Sequence, residues 1–233
     1  EVIPIYSYIK KPKNKYIKLL QTLLIPWRFK QHIKNTNILK TNQMYGSWVA
    51  VLAKIMFKKP LILRSGYELY SNTLKTKNSI SYKIFIYLIS LFSYKVSDRI
   101  HVAKKEDRNF LIQKFSINSE KVFIHPNWID VNKFKPNNTP RIPNKLIFVG
   151  RLNPQKNISL LIKALAGTNI SLDIIGTGEL KEKLLHFSKK LKVDVQFLGN
   201  ISNSKMPETY NQYSVFVLCS NYEGNPKVLL EAM

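Results

Sequence analysis

Short apolar runs of β-branched and aromatic residues recur along this chain, each closed by a polar loop and followed by a helix-forming stretch. Pro60-Leu-Ile-Leu-Arg64, Lys145-Leu-Ile-Phe-Val-Gly150, Ser171-Leu-Asp-Ile-Ile175 and Val215-Phe-Val-Leu-Cys219 are such runs. Their length and composition suit buried parallel strands. Strands that alternate with helices call for right-handed crossovers and a parallel sheet. The rhythm therefore predicts an α/β protein with Rossmann-like parallel-sheet domains. It breaks at Val131 to Asn144, which is rich in Asn, Pro and Lys without periodicity and reads as a linker. Residues 1–130 and 145–233 are then the two domains, with 131–144 between them.

In the first domain, Glu1 to Ile5 reads as the tail of a strand. Tyr16 to Lys34 reads as an amphipathic helix interrupted at Pro26, with Ile17, Leu20, Leu23, Leu24 and Trp27 on its apolar side. That helix packs on a sheet or lies in a membrane interface with Trp27 and Phe29 at the acyl boundary. Tyr45 to Lys58 is the next helix. Ser79 to Val96 is apolar over most of its circumference, which predicts a core helix. Asp98 to Ala103 is a strand, and its His101 alternates with apolar neighbours as a core or rim histidine does.

Composition narrows the class. A chain of 233 residues with 45% hydrophobic residues buries a substantial core. Its one cysteine excludes a disulfide framework and fits a reducing compartment; Cys219 reads as core. No run is long enough to cross a bilayer, and no secretory signal is visible. The formal charge of +23 is uneven: 26 Lys+Arg face 7 Asp+Glu before Asn144, against 11 and 7 after it. Such a field favours an anionic partner for the N-terminal half, with a lipid headgroup or lipid diphosphate ahead of nucleic acid. A composition rich in Asn and Ile also accumulates Lys without purpose.

The last fifteen residues carry the chemistry. After the run ending at Cys219, the polar residues Ser220, Asn221, Gly224 and Asn225 form a loop, Pro226 sits where a first helical residue is tolerated, and Lys227 to Met233 is a helix. Glu223 falls in the loop and Glu231 on the helix. Free N–H groups at a helix start suit phosphate or sugar hydroxyls; two carboxylates in this spacing either accept hydrogen bonds from hydroxyls at two ends of a sugar nucleotide or are solvated glutamates of a polar loop feeding an ordinary surface helix. Earlier, Arg151 and Lys156 stand between the end of a strand and a helix whose cap is Asn157, where cations clamp a diphosphate. Gly176-Thr-Gly-Glu179 is a tight strand-to-helix turn, too short for a dinucleotide fingerprint.

Tyr222-Glu-Gly-Asn-Pro-Lys-Val-Leu-Leu-Glu-Ala-Met233 resembles the E-x7-E signature of retaining glycosyltransferases of family 4, which have the two-domain GT-B fold. The segment from Val149 to Lys156 resembles that family's VGRL…K motif, Phe197-Leu-Gly199 its FLG strand, and Pro126 to Asp130 its P-N-x-x-D segment. The resemblance implies that Glu223 faces the donor sugar and Glu231 holds the ribose. It implies that Arg151 and Lys156 neutralise the departing diphosphate. Gly150, Gly176, Gly199, Asn200, Ile201, Gly224, Asn225 and Pro226 then surround the donor, with the backbone after Gly199 meeting the base. The catalytic group is Glu223, Arg151 and Lys156.

This chain departs from the family at Asn225, often Phe; at Trp128, usually Gly; and at Gly66, where many members carry a histidine. No catalytic histidine is carried over. Arg64 and Glu68 are acceptor-side candidates, or a structural ion pair, and His125 and Asn127 fall towards the cleft side. The resemblance also implies further strands before the first domain's and two more strands and a crossing helix after Met233, so the chain reads as an internal part of a longer enzyme.

The expected activity is retaining transfer of a sugar from a nucleotide diphosphate sugar to a glycan or lipid-linked acceptor, in cell-surface polysaccharide synthesis. Neither metal nor cofactor is expected. The place expected is the cytoplasm, on the inner face of the cell membrane, with peripheral contact through the basic half and no nucleic acid. The alternatives are a GT-B-fold epimerase or phosphorylase, and a basic protein that only binds membrane or nucleic acid.

Overall fold

The computed structural model describes residues 12, 14–66 and 68–233. The strand tail expected at Glu1–Ile5 lies outside them, as does Tyr67. The chain divides into two compact units, Glu1–Pro126 and Asn127–Met233. The division falls ahead of residue 130 because the intervening residues are bound to the second unit. The Asn127 amide donates to the Asn225 carbonyl (2.5 Å), and the Lys227 ammonium stands 5.8 Å from the Trp128 ring centre.

The first unit runs α1 (Lys15–Arg28), α2 (Lys30–Lys34), β1 (Leu39–Lys40), α3 (Ser47–Phe57), β2 (Leu61–Ser65), α4 (Leu69–Leu74), α5 (Ile80–Val96), β3 (Arg99–Val102), α6 (Lys105–Phe115) and β4 (Val122–Ile124). Its strands are parallel, in the order β1-β2-β3-β4. Along β2, Leu61, Leu63 and Ser65 are buried while Ile62 and Arg64 are half-buried, the period of two that distinguishes a strand's faces. Leu63, Ile100 and Val102 meet Tyr94, Leu111 and Phe115 from the helices in one core. The helix expected to break at Pro26 continues to Arg28; the non-helical Phe29 then separates α1 from α2.

The structure corrects two expectations in this unit. Glu68 is buried and does not face an acceptor: it caps α4 by accepting the Ser71 N–H, and it accepts the Tyr94 hydroxyl at 3.0 Å. Arg64, the other acceptor-side candidate, is half-buried on β2, level with His101 on β3. The His101 ring stacks on His125 with centroids 4.2 Å apart. Burial, followed by the charges of His125, Lys40, Arg64 and Arg99, holds the His101 imidazole below its ordinary pKa. The second correction is α5, which is no core helix: Ile84, Phe85, Leu88 and Phe92 are exposed.

The second unit runs β5 (Ile142–Val149), α7 (Ile158–Leu165), β6 (Ser171–Ile175), α8 (Lys181–Lys190), β7 (Val195–Gly199), α9 (Met206–Asn211), β8 (Tyr213–Phe216) and α10 (Lys227–Ala232). Again the strands are parallel, ordered β7-β6-β5-β8. Phe148, Leu172 and Ile174 face a core with α7 and α8. Ile147, Val149 and Ile175 face the opposite side, with Met206, Tyr210 and Tyr213. A sheet covered on both faces explains why these strands are nearly continuous apolar runs.

Two boundaries differ from the pattern. β5 begins at Ile142, inside the stretch read as linker, because the Ile142 N–H donates to the Gln212 carbonyl at 2.8 Å. The last strand is Tyr213–Phe216 instead of a buried Val215–Cys219. It pairs only with β5 among the described strands, leaving Ser214 and Val215 exposed.

Burial raises the Glu68 carboxyl above its ordinary 4.5, against the opposing hydrogen bonds from Ser71, Tyr70 and Tyr94. The folded state therefore binds this proton more tightly than the unfolded state. Its contribution is full below pH 4.5 and is lost as pH rises through the raised value. Urea unfolding from pH 4 upward should show wild type losing stability relative to Glu68→Gln; parallel curves would refute the assignment.

Candidate functional site

The strand order of the second unit reverses at β5: β6 and β7 lie on one side and β8 on the other. Ligands of open parallel sheets bind beyond the carboxyl ends of the strands at such a reversal. Here those ends carry the loops that start at Gly150, Gly176, Asn200 and Val217.

A ledge of backbone forms the floor. The Gly150 N–H donates to the Ile175 carbonyl (2.9 Å), the Gly176 N–H to the Gly199 carbonyl (2.7 Å), and the Leu152 N–H to the Thr177 carbonyl (3.0 Å). Three loops can pack this closely only where side chains are missing. A Cβ on Gly176, whose φ is +128°, would stand 2.0 Å from the Gly150 oxygen. One on Gly178 would stand 2.3 Å from the Leu152 oxygen. Gly178 was not singled out as a site residue; its signal was the repeated glycine in the Gly176–Glu179 turn.

The loop after β5 is stitched to the loop after β8. The Asn221 N–H donates to the Gln155 carbonyl (2.9 Å), and Gln155 Nε2 returns a bond to the Tyr222 carbonyl (2.9 Å). The Cys219 thiol lies against the Lys156 carbonyl at 3.2 Å, and burial pushes that thiol up from its ordinary pKa, as suits a packed cysteine. This seam brings Lys156 Nζ to 2.5 Å from Glu223 Oε1, with both side chains mostly buried. Asn157 does not cap α7 as its type predicts. It holds a left-handed conformation without a side-chain cap bond, and Asn153 caps the preceding turn instead.

Above the ledge is a cleft of about 460 Å³ lined by Gly150, Arg151, Gly176, Asn200, Ile201 and Glu231 among the predicted residues. Lys227, Thr177, Asn203, Met206, Val228, Val149 and Ile175 complete it. Lys227 is a second cation there, missed although it follows Pro226 directly. The chain of Lys156 crosses beside the cleft, its Cε 3.5 Å from the position of a Gly150 Cβ. Gly199 lies beneath, as acceptor for Gly176. Glu223, Gly224, Asn225 and Pro226 border the cleft through the seam and α10 without lining it. Pro226 precedes α10 as its cap residue. Asn127, placed on the acceptor side by sequence, instead belongs to this unit and holds the Asn225 carbonyl.

Glu231 is half-buried, and burial raises its carboxyl above the ordinary 4.5, opposed by Lys227, the Tyr210 hydroxyl at 3.4 Å, and Lys133. The cleft thus combines guanidinium and ammonium groups at one end of the ledge with a hydrogen-bonded carboxylate. That set can take a phosphate group and vicinal hydroxyls together. Among the described residues, no three His, Cys, Asp or Glu side chains gather as metal ligands.

Residues 130–233 match the model of the family Glycosyl transferases group 1. The chain is 29% identical over 235 residues to the N-acetylgalactosamine-N,N'-diacetylbacillosaminyl-diphospho-undecaprenol 4-alpha-N-acetylgalactosaminyltransferase of Campylobacter jejuni, covering 96% of this chain and 63% of that protein. It is 29% identical over 173 residues to the UDP-Gal:alpha-D-GlcNAc-diphosphoundecaprenol alpha-1,3-galactosyltransferase of Escherichia coli, covering 65% of this chain and 44% of that one. The fold superposes on Anabaena HepE in complex with UDP and glucose with a TM-score of 0.76 at 16% identity, covering 95% of this chain and 62% of that one. The two parallel-sheet α/β units have the fold of that structure, and the chain spans less than two thirds of these relatives' length.

Gly176→Ala should destabilise the second unit by more than about 2 kcal/mol, since the added carbon meets backbone at a positive φ. Gly167→Ala, at φ +79° in open space, should cost roughly 1 kcal/mol. Chemical denaturation that ranks the two the other way would refute the ledge.

Proposed function

We propose, from the premise that residues 130–233 are a group 1 glycosyl transferase module, that the whole protein transfers a sugar from a nucleotide diphosphate sugar to a lipid-linked or glycan acceptor. One observation carries this reading: at the strand reversal, Arg151 and Glu231 line one cleft while the Lys156–Glu223 pair is held beside it by the seam. The relatives' names support the substrate classes, since two act on diphosphoundecaprenol-linked sugars and a structural neighbour holds UDP and glucose.

In the proposed reaction the diphosphate lies along the Gly150–Arg151 edge. Arg151 binds it bidentately, and Lys156 adds a point charge as the bond from the anomeric carbon to the phosphate oxygen breaks. An acceptor hydroxyl attacks from the same face, so the configuration is retained, and its proton passes to the departing phosphate oxygen. Glu223 orients the sugar. Glu231 accepts the ribose hydroxyls, exchanging its bond from Tyr210 for theirs. The two lysyl and arginyl cations supply the charge neutralisation, and no metal or cofactor is part of the proposal.

The polysaccharide role, the cytoplasmic place on the inner membrane face and peripheral contact through the basic N-terminal half belong to the same reading. It is supported by the charge asymmetry. Nucleic acid is no partner in it.

In the whole protein, Lys156→Ala and Glu231→Ala should each lower kcat/KM for donor turnover ~100-fold or more, and uridine diphosphate should raise the Tm of wild type. Near wild-type turnover in either variant refutes the roles given. Donor turnover without any acceptor, through epimerisation, would replace transfer by the epimerase reading.

A further inference from the structure

α5 is apolar on both sides. At 100° per residue, Ile86, Ser90, Ser93 and Tyr94 fall on the side that faces the unit and are buried. Ser93 Oγ lies 3.0 Å from Ser47 Oγ of α3, and Tyr94 packs in the core of the unit. The opposite side presents Ile84, Phe85, Leu88 and Phe92, with Leu88 55% exposed. Helices of water-facing proteins carry polar residues on that side, and a contiguous apolar face of this kind marks an interaction surface.

α1 repeats the arrangement. Its packed side carries Thr22, whose hydroxyl accepts the Trp48 Nε1–H of α3 at 2.9 Å, and the buried Pro26. Its outward side shows Ile17, Leu20, Leu23, Leu24 and Trp27, the last 64% exposed, in a stripe roughly 120° wide. α3 lies between the two, packed against both, and adds exposed Ile55 and Met56. Each of these three adjoining helices thus exposes apolar side chains within the first unit.

Charge selects what covers them. Lys83 and Lys95 flank the α5 stripe, and Arg28 and Lys30 follow the α1 stripe. The chain before Asn144 carries 26 Lys+Arg against 7 Asp+Glu. Two copies meeting through this surface would bring like charges face to face. Anionic headgroups complement the lysines while acyl chains take the apolar side chains, the arrangement of helices that lie in a membrane interface. No helix among the described residues is long and apolar enough to cross a membrane.

We propose that the outward faces of α1, α3 and α5 form a membrane-docking surface for anionic lipid bilayers. This deepens the membrane contact in the proposed function by assigning it to particular side chains, and it stands or falls separately from sugar transfer. The whole protein should cosediment with phosphatidylglycerol-containing vesicles at least about tenfold more tightly than with phosphatidylcholine vesicles, less so as salt rises. The double variant Leu88→Ser/Phe92→Ser should lose about tenfold of that binding with an unchanged Tm; a lowered Tm would show that this face is covered by other parts of the whole protein and overturn the proposal. Vesicles should shift the tryptophan emission to the blue in wild type and not in Trp27→Phe.

Equal binding of the double variant, or equal affinity for both lipids, overturns the proposal. So does a concentration-dependent dimer in light scattering that the same double variant breaks. The uridine diphosphate thermal shift, measured without vesicles on the same preparations, separates the readings. Vesicle binding without a nucleotide response sinks transfer alone, and the converse sinks docking alone.

Discussion

The seam between the loop after β5 and the loop after β8 is the constraint on which the site depends. Its parts are ordinary: the Gln155–Asn221 and Gln155–Tyr222 bonds, and the Cys219 thiol against the Lys156 carbonyl. Together they fix two segments far apart in sequence at the point where the sheet reverses. A single backbone–backbone bond contributes only about 1 kcal/mol net, so no one contact holds the seam. What holds it is that both loops begin on neighbouring strands, with Ile147 level with Phe216. The sheet sets their separation, and the hydrogen bonds set their register.

The glycine ledge works with that seam. By removing side chains from Gly150, Gly176 and Gly178, the unit brings three backbones within hydrogen-bonding distance and leaves their upper surface open. Arg151 and Lys156 can then approach a ligand from one edge while Glu231 approaches from α10. The ion pair between Lys156 and Glu223 keeps both groups oriented in a partly buried place, where a lone charge would be costly to desolvate. Under the proposed function, an anionic ligand would compete with Glu223 for that lysine and so couple binding to the position of the loop carboxylate.

Much of this was legible in the sequence, and the reason is local chemistry. Strand-ending glycines, a cation pair before a helix, and two glutamates around a Gly-Asn-Pro turn each mark a place in the fold within a dozen residues. Parallel strands read as unbroken apolar runs because both faces of the second sheet are covered. Where the reading missed, the deciding contact was distant in sequence. Glu68 looks like a rim carboxylate until Tyr94 is seen to reach it. Asn127 belongs with Asn225, and that pairing depends on where the units divide. α5 looked like core because composition records that a helix is apolar, not which side it turns outward. Its buried serines, at a spacing of three, were the available signal.

The account's central claim is that the residues gathered at the strand reversal form one ligand cradle. A crystal of the whole protein soaked with uridine diphosphate tests it most directly. The account predicts phosphate oxygens within hydrogen-bonding distance of Arg151 and Lys156, ribose hydroxyls on Glu231, and Tyr210 released from that carboxylate. A nucleotide bound away from these side chains, or a Lys156–Glu223 pair and cleft that stay empty at saturating nucleotide, would contradict it.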